Sequence, residues 1–375
     1  MIVQHPMLWC AAFLMAGTAI GLYFPLPYYY LPLLATSVIA CTLLRKSGHW
    51  HDLLTIAVWL LIGCSRAALG PAFDAKPTWQ ETLEQKAKQI QTSLIARLER
   101  SGVSPRTLAL SEALVVGKKD DLKRETRQAY NRVGAGHLLA LSGTHIGIIY
   151  GFMYLIFIRW VCFSRRRWYA LPLILLCLWG YALVAGMPVS LVRAALMLSI
   201  FTIISLMQYD TDPLHPLALS AIIILLIAPT DLLSVSFQLS FAAVFFLIAL
   251  WEPLREKYPV LPWEMRLLAV SFIAQLGILP LLLHYFHQLP LLGPLLSLVM
   301  IPLTTVIIWL TLAAMLLPIA PIGWLLNAVV SLQQQTIDLT SRIPYVTLTD
   351  IHLTEGTVVL IYGAMVIAIV RLRTR

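Results

Sequence analysis

Two histidines, a serine and three glycines interrupt an otherwise apolar stretch, HLLALSGTHIGIIYG at 137–151. Ionisable groups at membrane depth are costly, so a segment that keeps them lines a pathway or forms a site. His137 and His145 stand eight residues apart, which predicts one helix with both rings on roughly the same side and Ser142 nearby. Gly143, Gly147 and Gly151 recur every fourth residue and predict a smooth strip where another helix approaches closely. Ser142 with His145 is also the pair an intramembrane hydrolase would use. No orienting acid or oxyanion motif accompanies them, so that reading is the weaker one.

Further polar residues stand in apolar surroundings. Arg193 lies in GMPVSLVRAALMLSI, about two turns into its span, and two readings stay open. The arginine snorkels to the interface, or it is a fixed positive charge at the mouth of an anion pathway. The Gly186-Met187-Pro188 break beside it favours the second, because broken helices expose backbone to a cavity. Gln238, with Ser240 and Phe241 in FQLSF, and Gln275 in AQLG suit either interhelical hydrogen bonding or pore lining. His284 and His287 form an HxxH without an acidic partner, so neither a metal site nor a cofactor is predicted.

These residues need a membrane framework. The chain has 375 residues, 59% of them hydrophobic and 12% charged, with mean hydropathy +0.81. That composition predicts an all-α, polytopic transmembrane bundle of about 10–11 spans. The spans are read near 7–24, 29–44, 53–70, 137–158, 168–186, 190–208, 214–229, 233–251, 267–286, 294–317 and 356–370. The first has no basic leader and is read as an uncleaved span. Pro280, Pro294 and Pro302 predict kinks or broken helices between about 275 and 305. The five cysteines show no paired spacing and read as small apolar residues.

Four segments follow: three N-terminal helices over 1–70, a short helical extracytoplasmic segment over 71–136, a channel core over 137–320, and a tail over 321–375. The second carries 12 Lys/Arg against 8 Asp/Glu and helical periodicity, with Thr78 and Glu81 as a capping box and Gly102 as a stop. Further helices are predicted near 105–117 and 121–133. The tail holds an interfacial amphipathic helix, 323–342, and the last span. The net charge of +9 suits cytoplasmic loops rich in Lys and Arg, with attraction to a polyanion as the sharper alternative. Arg45, Lys46, Arg159 and Arg165 to Arg167 are then cytoplasmic, which puts 71–136 outside.

Four stretches together resemble the ComEC-type competence family of inner-membrane DNA-uptake channels. They are ALVVGKKDDLKRETRQAYNRVGAGHLLALSGTHIGIIYG, VAGMPVSLVRAALM, APTDLLSVSFQLSFAAV and AVSFIAQLGILPLLLHYFHQLPLLGPLLSLVMIPL, in the family's order. The resemblance implies a non-enzymatic channel that passes one DNA strand across the bacterial cytoplasmic membrane during natural transformation. The matched positions are His137, Ser142, Gly143, His145, Gly147, Arg193, Gln238, Ser240, Phe241, Gln275 and Pro280. It also implies single-stranded DNA, a competence DNA receptor, a motor protein and membrane lipids as partners, with a homodimer as the assembly. Typical members carry an OB-like domain after the third span and a metallo-β-lactamase-like domain. Here 71–136 is short and helical, and no HxHxDH-like cluster occurs. A transporter of another polyanion or a small solute on the same scaffold is the alternative.

Overall fold

The computed structural model describes residues 6–24, 27–43, 48–69, 78–119, 121–139, 141–156, 170–206, 212–343 and 346–373. The basic clusters at 45–46 and 159–167 lie outside these residues. The described elements are α1 (Pro6–Tyr23), α2 (Pro27–Leu43), α3 (Gly48–Ala68), α4 (Thr78–Arg100), α5 (Pro105–Ser111), α6 (Arg124–Arg132), α7 (Gly136–Leu139) and α8 (Gly143–Tyr154). They continue as α9 (Ala170–Val184), α10 (Val189–Leu206), α11 (Leu214–Ile227), α12 (Val235–Lys257), α13 (Trp263–Phe286), α14 (Gly293–Leu316), α15 (Ala320–Ser341) and α16 (Glu355–Arg373). The described chain is helical as expected, with one short antiparallel pair, β1 (Gln288–Pro290) with β2 (Thr347–Thr349).

Among the described residues four helices, α1, α12, α13 and α14, are long and apolar enough to cross a membrane. Shorter apolar helices occupy Leu53–Ala68, Ala170–Val184, Val189–Ser205 and Leu214–Ile227. Together they make a multi-pass membrane protein.

The described residues divide into two compact units. The first joins Met1–Thr78 to Ser199–Phe241, and the second joins Trp79–Leu198 to Ala242–Arg375. This division cuts across the four segments read along the sequence. In the first unit, α1 and α3 touch backbone to backbone: a methyl on Gly17 would overlap the Leu60 carbonyl, and one on Gly63 the Leu14 carbonyl. Gly21 faces Cys64 in the same way. Arg66, in the last turn of α3, donates from Nε to the Leu226 carbonyl at 2.7 Å and from Nη2 to that of Ile227 at 2.6 Å. It thereby satisfies carbonyls at the end of α11 that have no helical partner.

The core of the second unit gathers Leu98, Leu110, Leu114, Ile149, Ile307 and Leu326 from α4, α5, the turn 112–116 that follows it, α8, α14 and α15. The 78–136 region is helical where described, as its periodicity predicted, and Gly102 (φ 78°) ends α4. The Thr78 side chain lies outside the described set. In α15, Gln333 is fully buried and donates to Thr304 of α14 at 2.8 Å, while Trp324, Leu325, Leu332 and Leu339 face outward. The predicted amphipathic helix therefore buries Gln333 and Gln334 together with Leu326, Val330 and Ile337, and leaves a second apolar face exposed.

Candidate functional site

Three of the chain breaks described in the second unit, each made by local sequence, bear on the site. The first follows α5, which widens into a π turn at Glu112–Val116 and stops at Gly117 (φ 79°). A π turn displaces carbonyls from the regular ladder. Tyr181 of α9 donates to the Val115 carbonyl at 3.0 Å, and Gln91 of α4 to that of Val116 at 3.1 Å. The buried Glu112 carboxylate lies 3.2 Å from Lys118, which also reaches Asp121 at 2.7 Å. Burial pushes Glu112 above the usual carboxylate range, and Lys118 opposes that shift.

The second break falls between α7 and α8 and corrects the prediction of one helix over 137–158. Ser142 is extended (φ −121°, ψ 171°) and is the N-cap of α8, with His145 completing a reciprocal capping box. The Ser142 amide donates to His145 Nδ1 at 3.3 Å, and the Ser142 hydroxyl lies 3.1 Å from the same nitrogen. A short polar side chain that bonds its own backbone competes with helix continuation, so the chain breaks here. The two histidines therefore do not share a face. His145 is fully buried, whereas His137 is exposed with Nδ1 3.0 Å from the Gly134 carbonyl. With Nδ1 accepting, the proton of neutral His145 sits on Nε2, which has no hydrogen-bond partner among the described residues.

The expected glycine strip also differs. Gly143 faces Ala194 of α10, whose Cβ would lie 3.5 Å from an added methyl. At Gly147 and Gly151 an added methyl meets no described atom within 4 Å. Close glycine packing occurs instead between α1 and α3, where GTAIG carries the same four-residue spacing.

The third break is 185–188. Gly186 (φ 82°) and Met187 (φ 51°) are both left-handed; the Met187 amide reaches the Ala182 carbonyl at 2.8 Å and that of Gly186 reaches Leu183 at 3.0 Å. This is a Schellman stop. Pro188 then begins the approach to α10, where Arg193 is the fifth residue and only 2% exposed. An arginine so enclosed by protein does not snorkel to the interface.

The three breaks meet. Ser190 of α10 donates to the Leu141 carbonyl at 2.6 Å. A methyl on Gly117 would press on the Leu141 side chain at 2.6 Å and lie 3.6 Å from the Ala185 carbonyl. Interrupted helices within a membrane domain place backbone N–H and C=O groups where a polar solute can use them. Arg193 adds a buried positive charge one turn beyond this junction, a combination suited to an anion.

Gln275 and Pro280 belong to the second unit but do structural work on α13. Gln275 donates to the Pro290 carbonyl at 2.8 Å and so braces the 287–292 break. α13 and α14 stay helical through Pro280 and Pro302, so the break predicted near those prolines lies between the two helices. Tyr362 donates to the Gly277 carbonyl at 2.9 Å, next to the Leu276 carbonyl that Pro280 leaves without its helical donor. Gln238, Ser240 and Phe241 belong to the first unit. Gln238 donates to Leu232 at 3.1 Å, Ser240 to Phe237 at 3.1 Å, and Phe241 packs on Phe237 with ring centroids 4.3 Å apart. Glu112, Gly117, Lys118 and Ser190 were missed from sequence, although the glycine closing the apolar run before KKDD is a helix-stop signal.

A model of the family described as Competence protein matches residues 114–375. The chain belongs to the competence protein family. Its competence relatives include ComE operon protein 3 of Bacillus subtilis, 34% identical over 60% of this chain and 28% of that protein. Recombination protein 2 of Haemophilus influenzae is 29% identical over 64% of this chain and 31% of that protein. An MG316 homolog of Mycoplasma pneumoniae is 27% identical over 80% and 73%. The chain thus spans less than a third of the first two relatives. No solved structure matches.

Proposed function

We propose that this competence-family chain is a membrane channel through which a single DNA strand crosses the bacterial cytoplasmic membrane during natural transformation. The observation that carries the reading is the meeting of three helix breaks beside the buried Arg193. A translocated strand offers a phosphate charge at every nucleotide and needs cationic and backbone groups that tolerate any sequence. Membership of the family supports the assignment to DNA uptake. In this proposal the chain is a pore without an enzymatic step, residues 71–136 lie on the outer side, and a DNA receptor and a motor protein act with it in the lipid bilayer. The assembly implied by the same resemblance is a homodimer.

Deleting the gene from a competent host is expected to abolish transformation by added DNA. Complementation with Arg193→Ala is expected to restore membrane protein but lower transformation at least tenfold, with Arg193→Lys in between. Undiminished transformation in the deletion strain would sink the proposal.

A further inference from the structure

A cleft of about 500 Å3 opens between the C-terminal half of α6, the end of α15 and the β1–β2 pair, all within the second unit. Its lining includes Arg132, Arg342, Gln128, Asn131, Gln288 and Thr349. Thr347 bonds to the Arg132 carbonyl, tying β2 to α6. The Leu291 amide donates to the Val346 carbonyl at 3.0 Å, extending the strand pairing at the base of the cleft. The walls are therefore held by backbone, and the charged groups project from fixed supports. No carboxylate lines the cleft among the described residues; Asp350 follows it and accepts from Thr349 at 3.1 Å.

We infer that this cleft binds the phosphodiester backbone of the strand on the outer face, before the strand meets the break junction. The inference rests on the channel reading and on the outer placement of 71–136. Arg132 and Arg342 supply planar forks that match phosphate oxygens, and the amides and hydroxyls add neutral donors. Contacts of this kind fall on the phosphate and carry no base information, so binding through them is independent of sequence. The volume falls within the range of small-ligand sites.

The test uses the full-length protein in neutral detergent, with a short dye-labelled oligothymidylate followed by fluorescence anisotropy. Arg132→Gln and Arg342→Gln are each expected to weaken binding about tenfold. The double variant should lower the slope of log affinity against log salt by about 1.4, or about 0.7 for each lost phosphate contact. Arg132→Lys should recover part of the loss, and Asp350→Asn, which tolerates the positive φ of 65°, should tighten binding. Arg97→Gln on α4, outside the cleft, should change nothing. An uncharged methylphosphonate oligothymidylate should not distinguish wild type from the double variant. The inference is overturned if both arginine variants bind like wild type, or if Arg97→Gln weakens binding as much. It is also overturned if only anionic-lipid vesicles, and not the oligonucleotide, compete for the cleft. Any of these with transformation still lost on deletion would remove the cleft and leave the channel standing. Arginine-dependent binding with transformation intact would remove the channel reading instead.

Discussion

Ser142 and His145 illustrate how one pair of residues supports two functions on paper and one in place. Their contact was legible as a three-residue spacing, but its meaning depended on backbone angles that sequence does not display. Capping accounts for the contact: the imidazole nitrogen takes the amide that begins α8, as glutamate or glutamine does in the usual capping box. His145→Gln should therefore retain thermal stability in detergent and transformation, whereas His145→Leu should cost about 1 kcal/mol or more. A hydrolase would instead lose its activity with glutamine. Glu112 gives a second prediction. Its folded pKa lies above the unfolded value, so its contribution is fully present below the ordinary carboxylate range and is lost as pH rises through the raised pKa. Thermal melts across acid to neutral pH should show that decline in the wild type and a flatter profile in Glu112→Gln. Lys118 would remain paired with Asp121.

Helices were the most readable level, because apolar runs and stop signals are local. The 78–136 region is helical where described, as its periodicity predicted, but Ile90 on α4 is left exposed. What periodicity cannot supply is the partner of a face. Two glycine strips share a four-residue spacing, yet among the described residues only that of α1 lies backbone to backbone with another helix, while that of α8 touches α10 at Gly143 alone. Gly17→Val should destabilise the protein by at least 1–3 kcal/mol through overpacking. Gly147→Ala, where the added methyl meets no described atom, should be neutral or stabilising by about 0.5–1 kcal/mol. Equal melting losses for both would contradict this division.

At the scale of the molecule, the sequence allowed a segment-by-segment reading but not the grouping of segments. Residues that close one unit lie far apart in the chain, and no local pattern announces such a meeting. Arg66 is the plain case: it bonds to carbonyls 160 and 161 positions later. At roughly 5–20 residues per second, synthesis reaches those carbonyls some ten to thirty seconds after the arginine has emerged. Through that interval α1 and α3 have each other and α2, and their glycine contact needs no later segment to form. The order of manufacture thus assigns the tight early joint to backbone and the late closure to charge, so the unit locks only when α11 arrives.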